Sequence, residues 1–284
     1  MNGDTFRELR IREGYSLHDA AEGVTSIATL SRFENGLISI GTEKLMGCLN
    51  NIGLTFLEFA SAETDNRENQ YNYFNDLRKL VELDKTTELT NQVQLQRARY
   101  DHSHSTIDFH TLVLAAGMNI KAGGANVLTT AEVAQVLHEL RRSDVWGEIE
   151  LLQFEAAAPL LTSDDDLALA QDLAIHLDDI ERRSSLLYRD AWSALLNALE
   201  ALIYRDSSDA TVLYDKLRQL HIHEEALVMQ LRLDLLGNCV QLCQGDEAAA
   251  RQSITQQLAF LRDVGSKDLA KYYERVIALL CGKE

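Results

Sequence analysis

Proline is almost absent from this chain of 284 residues, which contains only Pro159. β-Sandwiches and β-barrels need many turns, and proline is one of the residues that turns use most. The near absence of proline therefore predicts a protein built almost entirely of helices. Hydrophobic residues make up 46% of the chain and charged residues 25%, which is ordinary for a globular protein and excludes wholesale disorder. The length suits two domains, or one domain followed by a repeat array.

Basic residues are also scarce. Lys and Arg number 27 against 44 Asp and Glu, and the formal net charge is −17. This balance excludes a protein that coats nucleic acid through its overall charge, so any contact with DNA must come from a local basic patch. The chain also lacks a run of about 18 apolar residues, the length of a membrane-spanning helix, and MNGDTFRELR at its start lacks the apolar core of a signal peptide. We therefore expect no membrane partner and a cytoplasmic location.

The chain has few cysteines and no histidine spacing suited to a metal site. Four cysteines are too few for a disulfide scaffold. Cys239 and Cys243 lie on one face of a predicted helix, but no second pair lies nearby to complete a zinc site, so we expect buried thiols. Five histidines fall into two groups whose members are spaced so that they do not chelate an ion from a regular helix: His102, His104 and His110, and His221 and His223. We expect solvated or interfacial histidines, with pH sensing as an alternative.

Motifs of common enzymes are missing as well. The chain has no glycine-rich phosphate loop and no nucleophile elbow. The acidic run at 164–166 precedes an apolar periodic segment, which is typical of a helix N-terminus rather than of a calcium loop. We therefore expect a protein that is not an enzyme and that requires neither a metal nor a cofactor.

Residues 1–64 have the pattern of five short helices joined by tight turns. Ser16 is a predicted N-cap, and Leu30 and Phe33 are predicted to be buried. The fourth helix has one buried face, and a short apolar stretch completes the core: Leu45, Cys48, Leu49 and Ile52, then Leu54, Leu57 and Phe59. These residues predict a compact helical bundle.

Residues 65–284 differ in character. Amphipathic segments of roughly 15–20 residues recur between short polar breaks, and we expect about ten helices in antiparallel pairs. Pair lengths of about 35–40 residues are typical of a TPR-like helical-repeat domain, although the sequence shows no strict period. The predicted fold is therefore all-α, with a five-helix bundle at 1–64 and a repeat domain at 65–284.

The bundle contains the pattern of a helix-turn-helix: a helix, a turn with Gly23, and a second helix that starts near Ser26. The exposed face of that second helix carries small or hydrogen-bonding residues, namely Ser26, Ile27, Ala28, Thr29, Ser31 and Arg32. Ile27 or Ala28 can contact a thymine methyl group, and Arg32 can donate to a guanine or a phosphate. The alternative is a small bundle that binds protein.

The N-terminal run FRELRIREGYSLHDAAEGVTSIATLSRFENG resembles the Xre-type helix-turn-helix of Rgg/MutR-family transcription regulators. The later segments WGEIELLQFEAAAPLL and LLGNCVQLCQGDEAAARQSITQQLAFL resemble the helical repeats of the same family. The resemblance implies a homodimeric, cytoplasmic, quorum-sensing regulator that binds an operator in double-stranded DNA and is gated by a short peptide pheromone. It also implies that the pheromone binds to the concave face of the repeats.

The resemblance assigns roles to individual residues of the bundle. Ile27, Ala28 and Arg32 occupy base-reading positions, and Thr29 and Asn35 are candidates for phosphate contacts. Arg10 and Glu34 match an ion pair that ties the first helix to the recognition helix, while direct phosphate contact by Arg10 is the alternative. The 64 residues carry five basic and nine acidic side chains, so one copy should bind DNA poorly and dimerisation becomes almost obligatory.

Two further interpretations remain open. Cys48 shares a helix face with Leu45 and Ile52 and is expected to be a core thiol, or else to form a disulfide across the dimer, as the resemblance to Rgg-like proteins implies. Two alternatives to a peptide-sensing regulator also remain. The first is a DNA-binding regulator whose repeats bind another protein, and the second is a helical scaffold whose N-terminal bundle no longer binds DNA.

Six residues of the repeat domain are candidates for the peptide site. Asn197 and Asn238 lie within apolar segments, where an amide is costly unless it has a partner, and amides can pair with the backbone of an extended peptide. The other four are Arg97 and Arg142, for a ligand carboxylate, and Trp146 and Trp192, for the floor of a side-chain pocket. The alternative for each is a hydrogen bond within the scaffold.

Overall fold

The computed structural model describes residues 3–63, 70–205, 208–223, 226–244 and 247–281. Within these ranges every element of regular secondary structure is helical, which confirms the predicted all-α class. The chain forms two compact units, Met1–Tyr73 and Phe74–Glu284. The boundary that we predicted between 64 and 65 lies outside the described residues.

The first unit contains the five predicted helices, bounded as follows: α1 (Gly3–Arg12), α2 (Leu17–Ala21), α3 (Ile27–Glu34), α4 (Thr42–Asn51) and α5 (Phe56–Glu63). Ser16 caps α2 through a reciprocal pair of hydrogen bonds with Asp19. Gly23 adopts a φ of 69° in the turn before α3, a conformation that favours glycine. Local capping and turn chemistry therefore account for where α2 and α3 begin.

The core of the first unit joins the large side chains of these helices. Phe6, Leu30 and Phe33 are fully or almost fully buried, and the rings of Phe6 and Phe33 lie 6.1 Å apart. The prediction for Leu57 is wrong, because its side chain is 72% exposed whereas Phe59 is buried. Residues two apart on a helix point in nearly opposite directions, so α5 cannot bury both.

The second unit contains twelve α-helices among its described residues, two more than predicted. Their bounds are α6 (Gln70–Glu82), α7 (Thr86–Ser103), α8 (Thr106–Lys121), α9 (Thr130–Arg142), α10 (Glu148–Ala157), α11 (Ser163–Ile175), α12 (Leu177–Arg183), α13 (Ser185–Tyr204), α14 (Asp209–Leu217), α15 (Leu227–Cys243), α16 (Glu247–Asp263) and α17 (Lys267–Cys281). α6 begins in the last residues of the first unit. Pro159 lies in a 3₁₀ turn at Ala158–Leu160, and a single residue, His176, separates α11 from α12.

α13 is the central helix of the second unit. It packs against α10, α11, α12, α14, α15 and α17, and 13 of its 20 residues are buried. Close packing extends to α8 and α10, where a Cβ atom on Gly117 would lie 1.9 Å from the carbonyl oxygen of Ala156. Gly117 is therefore the residue that lets these two helices approach.

A buried hydrogen bond between Arg205 and Asp166 ties the end of α13 to α11. Asp166 is fully buried and accepts a hydrogen bond from Arg205, which also donates to the carbonyl oxygen of Ala158 at 2.9 Å. The acidic run at 164–166 does lie in the first turn of a helix, as predicted, but Thr162 supplies the N-cap. Asp165 also has a tertiary partner, since it accepts from Arg141 Nη2 at 2.5 Å, but Asp166 is the one residue of the run that is fully buried.

The Asp166 pair predicts a dependence of stability on pH. Burial raises the pKa of the Asp166 carboxyl from 3.8 to about 8, and Arg205 offsets this only in part. The folded state then retains a proton that the unfolded chain releases near pH 4, so this contribution to stability is present below about pH 4 and is lost as the pH rises towards 8. We expect the free energy of unfolding to fall more steeply over this range in the wild type than in Asp166→Asn, as measured by urea denaturation. Parallel profiles would contradict the assignment.

Candidate functional site

The predicted DNA-reading residues lie together on α3. Ser26 caps the helix by accepting from the amide of Thr29 at 3.1 Å, and Ile27, Ala28 and Arg32 are exposed on one side of it. Leu30, Phe33 and Glu34 are buried on the opposite side. The helix therefore presents small side chains near its N-terminus and a guanidinium about one turn later, which is the arrangement that a major-groove contact requires.

Two of the predicted phosphate contacts also have local roles. The hydroxyl groups of Thr29 and Ser26 lie 2.8 Å apart. Asn35 Nδ2 donates to the carbonyl oxygen of Ser31 at 2.7 Å and closes the end of α3. Both residues therefore stabilise the termini of α3, and Asn35 remains exposed.

Arg10 is the buried anchor of α3. Its Nε and Nη2 donate to the two carboxylate oxygens of Glu34, each at 2.7 Å, and its Nη1 donates to the carbonyl oxygen of Tyr15 at 2.8 Å. The ion pair that the family resemblance implies is thus present. A phosphate contact by Arg10 would break a buried pair, which is costly, so the geometry favours positioning of α3 over direct contact with DNA.

Other basic side chains of the first unit are available to neutralise phosphates. Within residues 3–63 the exposed cations are Arg7 and Arg12 on α1, Arg32 on α3 and Lys44 on α4. Arg7, Arg12 and Lys44 were not among the predicted DNA-binding residues, although each is one of the few basic residues in an acidic region. The sequence alone does not show which of the basic side chains are exposed.

Cys48 is fully buried in the core of the first unit, and burial raises the pKa of its thiol. A thiol in this position can meet the thiol of a second copy only if α4 is displaced. The structure therefore favours the core role over the disulfide.

The second unit contains a cavity of about 200 Å³ lined by α6, α8, α10, α13, α15 and α17. We call it the ligand cavity. Its lining combines apolar residues with two tyrosines and a set of charged and amide side chains: Arg78, Glu82, Lys121, Glu155, Ser193, Asn197, Arg232, Tyr272 and Tyr273. A smaller cavity of about 80 Å³ shares Lys121, Glu155 and Asn197 with it and adds aliphatic walls from Ile120, Ala201 and Leu280.

The polar wall of the ligand cavity is a stripe along α13. Ser193, Asn197 and Glu200 occupy positions i, i+4 and i+7, so they share one side of this buried helix. Asn197 Oδ1 accepts hydrogen bonds from both Lys121 and Arg232. Among the described residues, its Nδ2 group has no hydrogen-bond partner. Asn197 therefore retains a free donor beside the cavity.

Glu200 lies between the same two cations. Its carboxylate is 3.3 Å from Lys121 Nζ and accepts from Arg232 Nη2 at 2.8 Å. Burial acts to raise the pKa of Glu200, but Lys121 and Arg232 more than offset it and the pKa is lowered. Burial lowers the pKa of Lys121 in spite of Glu200. Lys121, Glu200 and Arg232 thus form one connected network of side chains that are only 12–13% exposed.

A second ion pair lies on the same wall. Arg78 Nε donates to Glu155 at 3.1 Å, and Arg78 Nη2 donates to the other carboxylate oxygen and to Ser193 Oγ at 3.2 Å. Because Arg78 lies on α6, this pair joins the first helix of the second unit to α10 and α13.

The other predicted peptide residues do not line the ligand cavity. Trp192 is fully buried in the core, and Trp146 packs against Phe154 with its indole donating to Asp172 at 2.8 Å. Arg97 forms a two-pronged pair with Glu132. Two more residues complete the set: Arg142, which is exposed, and Asn238, which donates at 3.1 Å to both Ser253 and Gln257.

Of this cluster, Asn197 was predicted from the sequence, whereas Glu200 and Arg232 were not. Glu200 in LLNALEALIY and Arg232 in LVMQLRLDLL satisfy the same rule, a polar residue within an apolar helix. Applying that rule to charged residues as well as amides would have found both.

The histidines and cysteines show no metal site within the described ranges. The rings of His221 and His223 lie 5.5 Å apart, and His223 Nε2 is 2.6 Å from a carboxylate oxygen of Glu181. Cys239 is buried as predicted, but Cys243 is exposed, so that prediction is wrong for Cys243. Cys243 is the last residue of α15, beyond the part of the helix that packs into the core.

No helix in the described part of the chain is both long and apolar enough to cross a membrane.

Comparison with known proteins identifies relatives for both the sequence and the fold. The family model for the C-terminal domain of the HTH-type transcriptional regulator Rgg matches residues 86–275. No curated protein matches the chain. The structure is similar to the SHP pheromone receptor Rgg2 of Streptococcus dysgalactiae, with 17% identity, 97% of this chain and 98% of the receptor covered, and a TM-score of 0.67. It is also similar to PrgX in its complex with cCF10, with 13% identity, 99% and 92% coverage, and a TM-score of 0.63.

The exposed position of Arg32 generates a prediction for DNA binding. Arg32→Ala should weaken binding to the operator by about 1–3 kcal/mol, because it removes one charged donor from the groove or the phosphate backbone. Helicity and melting temperature should not change. Fluorescence anisotropy with duplexes from upstream of the gene measures the effect. Arg218→Ala, which removes an arginine that is 61% exposed on the second unit, is the matched control. Equal affinities for both variants would remove Arg32 from the interface.

Proposed function

Because the chain belongs to the Rgg family of HTH-type transcriptional regulators, we propose that it is a cytoplasmic, peptide-gated regulator that binds operator DNA as a homodimer. The observation that carries the peptide part of this proposal is the ligand cavity, where Asn197 presents an unpaired amide donor. The proposed ligand is a short peptide pheromone, which makes the protein a quorum-sensing regulator.

The DNA-binding half of the proposal rests on α3 and its anchor. The Arg10–Glu34 pair holds the buried side of α3 against α1, and Ile27, Ala28 and Arg32 remain exposed. Few cations surround this helix, so one copy neutralises few phosphates. Since binding free energy grows with the number of phosphates neutralised, two copies on adjacent half-sites supply the contacts that one copy lacks.

The sensing half rests on the chemistry of the ligand cavity. An extended peptide exposes unpaired N–H and C=O groups, and a side-chain amide can pair with them. Asn197 offers such an amide in a cavity with aliphatic and aromatic walls, a composition typical of ligand sites. The described structures of similar fold include a pheromone receptor and a complex with cCF10, which is consistent with this use of the fold.

The Arg78–Glu155 pair provides a physical route for gating. α6 carries the chain from the first unit into the second, and Arg78 on α6 lines the ligand cavity. The Arg78–Glu155 pair can be formed or broken. A ligand that binds more tightly to one of these two states would shift the equilibrium towards that state. Ligand occupancy is thereby linked to the helix that leads to the DNA-binding unit.

A mobility-shift experiment tests the proposal as a whole. The full chain is mixed with DNA from its own upstream region, with and without synthetic peptides encoded by short open reading frames near the gene. A shift that one of these peptides changes supports a peptide-gated regulator. A shift that no peptide changes supports a regulator whose repeats bind protein, and the absence of a shift supports a scaffold.

The two asparagines give a sharper prediction, because the structure separates them. Asn197→Ala should weaken binding of an active peptide about tenfold, since a hydrogen bond is worth about 1 kcal/mol and the substitution also disturbs the surrounding charges. Asn238→Ala should lower the melting temperature with little effect on affinity, because Asn238 joins α15 to α16. Calorimetry and thermal denaturation measure both quantities. Equal peptide affinity in the two variants would place Asn197 in the scaffold.

A further inference from the structure

We infer that α4 positions the DNA-reading helix, because Asn51 and Gly47 hold the turn before α3 and thereby orient the N-terminus of that helix. This role rests on the proposed DNA-binding function. It belongs to two residues that act through the turn rather than through their own contact with DNA, and neither was predicted from the sequence as a DNA-binding residue.

The side-chain amide of Asn51 bridges two carbonyl groups at the end of α2. Its Nδ2 donates to the carbonyl oxygen of Ala20 at 3.1 Å and to that of Glu22, the C-cap residue of α2, at 2.8 Å. An amide nitrogen carries two hydrogens, so both donors of this group are used. The last carbonyl groups of a helix have no partner within the helix, and the half-buried Asn51 supplies partners for two of them from α4.

The turn itself satisfies the carbonyl group that lies between these two. The amides of Val24 and Thr25 both donate to the carbonyl oxygen of Ala21, at 3.1 and 3.0 Å. The positive φ of Gly23 permits this tight turn. Local amides thus bind the middle carbonyl of the three, and Asn51 binds the two that flank it. The position of the turn therefore depends on a residue of α4 as well as on its own sequence.

Packing one turn earlier on α4 holds the same segment. Gly47 precedes Asn51 by four residues, so the two share a face of α4. A Cβ atom on Gly47 would lie 2.9 Å from both methyl carbons of Val24, whereas nonbonded carbon atoms prefer about 3.5–4.0 Å. The lack of a side chain at Gly47 therefore lets Val24 pack directly against α4. One helix thus holds the turn through hydrogen bonds and through an apolar contact.

This contact fixes the end of α3 that the ion pair of α3 does not reach. The Arg10–Glu34 pair binds the last residue of α3, whereas Ile27 and Ala28 lie in its first turn. A helix of this length spans about 12 Å, so a rotation of about 5° around Glu34 would move the first turn by about 1 Å. Hydrogen bonds weaken when their donor and acceptor separate by that much. Base contacts therefore require that the turn before α3 is held as well.

DNA binding by the full chain tests this role. Fluorescence anisotropy measures the affinity for the tightest-binding duplex from upstream of the gene and for an unrelated duplex of the same length. Asn51→Ala should weaken binding to the upstream duplex about tenfold, because a displaced α3 loses the equivalent of about one base contact. Affinity for the unrelated duplex should change by less than about twofold, because every cation remains in place.

Asn50→Ala is the matched control, because Asn50 is the preceding asparagine of α4 and is exposed. It should keep the wild-type affinity for both duplexes. Equal affinities of the two variants for the upstream duplex would overturn the inference and leave sequence-specific DNA binding intact. Equal binding of both duplexes by the wild type would overturn sequence-specific binding and the inference with it.

Hydrogen exchange separates positioning of the turn from a general loss of stability. In Asn51→Ala the amides of residues 23–29 should exchange at least about tenfold faster, while those of α1 and α5 keep their wild-type rates. Uniformly faster exchange throughout the first unit would indicate general destabilisation and overturn the inference. Weaker binding to the upstream duplex with wild-type exchange in the turn would indicate a direct DNA contact by Asn51 and overturn it too.

Gly47→Ala tests the same contact without the loss of a hydrogen bond, and it decides the question if Asn51→Ala does not fold. The added methyl group should displace Val24 and the turn, while alanine favours the helical conformation of α4 itself. We expect a lower affinity for the upstream duplex at a melting temperature close to that of the wild type. Wild-type affinity for this duplex in Gly47→Ala would overturn the positioning of α3 by α4.

Discussion

The burial of α13 is the constraint on which the second unit depends. Six helices pack around it, so a charged or polar side chain on its buried surface is costly unless it has a partner inside the protein. Ser193, Asn197 and Glu200 form one stripe along this helix, and the partners of that stripe are Arg78, Lys121 and Arg232. The same polar stripe that is costly to bury thus draws cations from three other helices to one wall, and the ligand cavity lies against that wall.

The first unit also buries a charged side chain on a helix. Glu34 lies on the buried side of α3, where an unpaired carboxylate would be costly, and the fork of Arg10 satisfies both of its oxygens. This arrangement fixes α3 against α1 and leaves the opposite side of α3 for DNA. In both units a buried charged pair positions a helix, and the functional groups lie on the part of the helix that remains accessible.

Much of the fold was predictable because its signals are local. A single proline, the caps at Ser16 and Ser26 and the glycine turn at Gly23 each act within a few residues. Predictions of burial failed where the sequence was compatible with a side chain that faces either the core or the solvent. Leu57 and Cys243 are apolar enough for a core, but the helix direction around them places both at the surface.

The sequence by itself determined that the chain is helical, where the helix-turn-helix lies and that Asn197 needs a partner, because periodicity, capping and the cost of a buried amide are properties of short segments. Only the tertiary structure decided which groups meet. Asn197 is 76 residues from Lys121 and 35 from Arg232, and Arg97, Trp146 and Trp192 are engaged elsewhere. Contacts over such separations depend on how whole helices pack, and the periodicity of one segment carries no information about the segment opposite it.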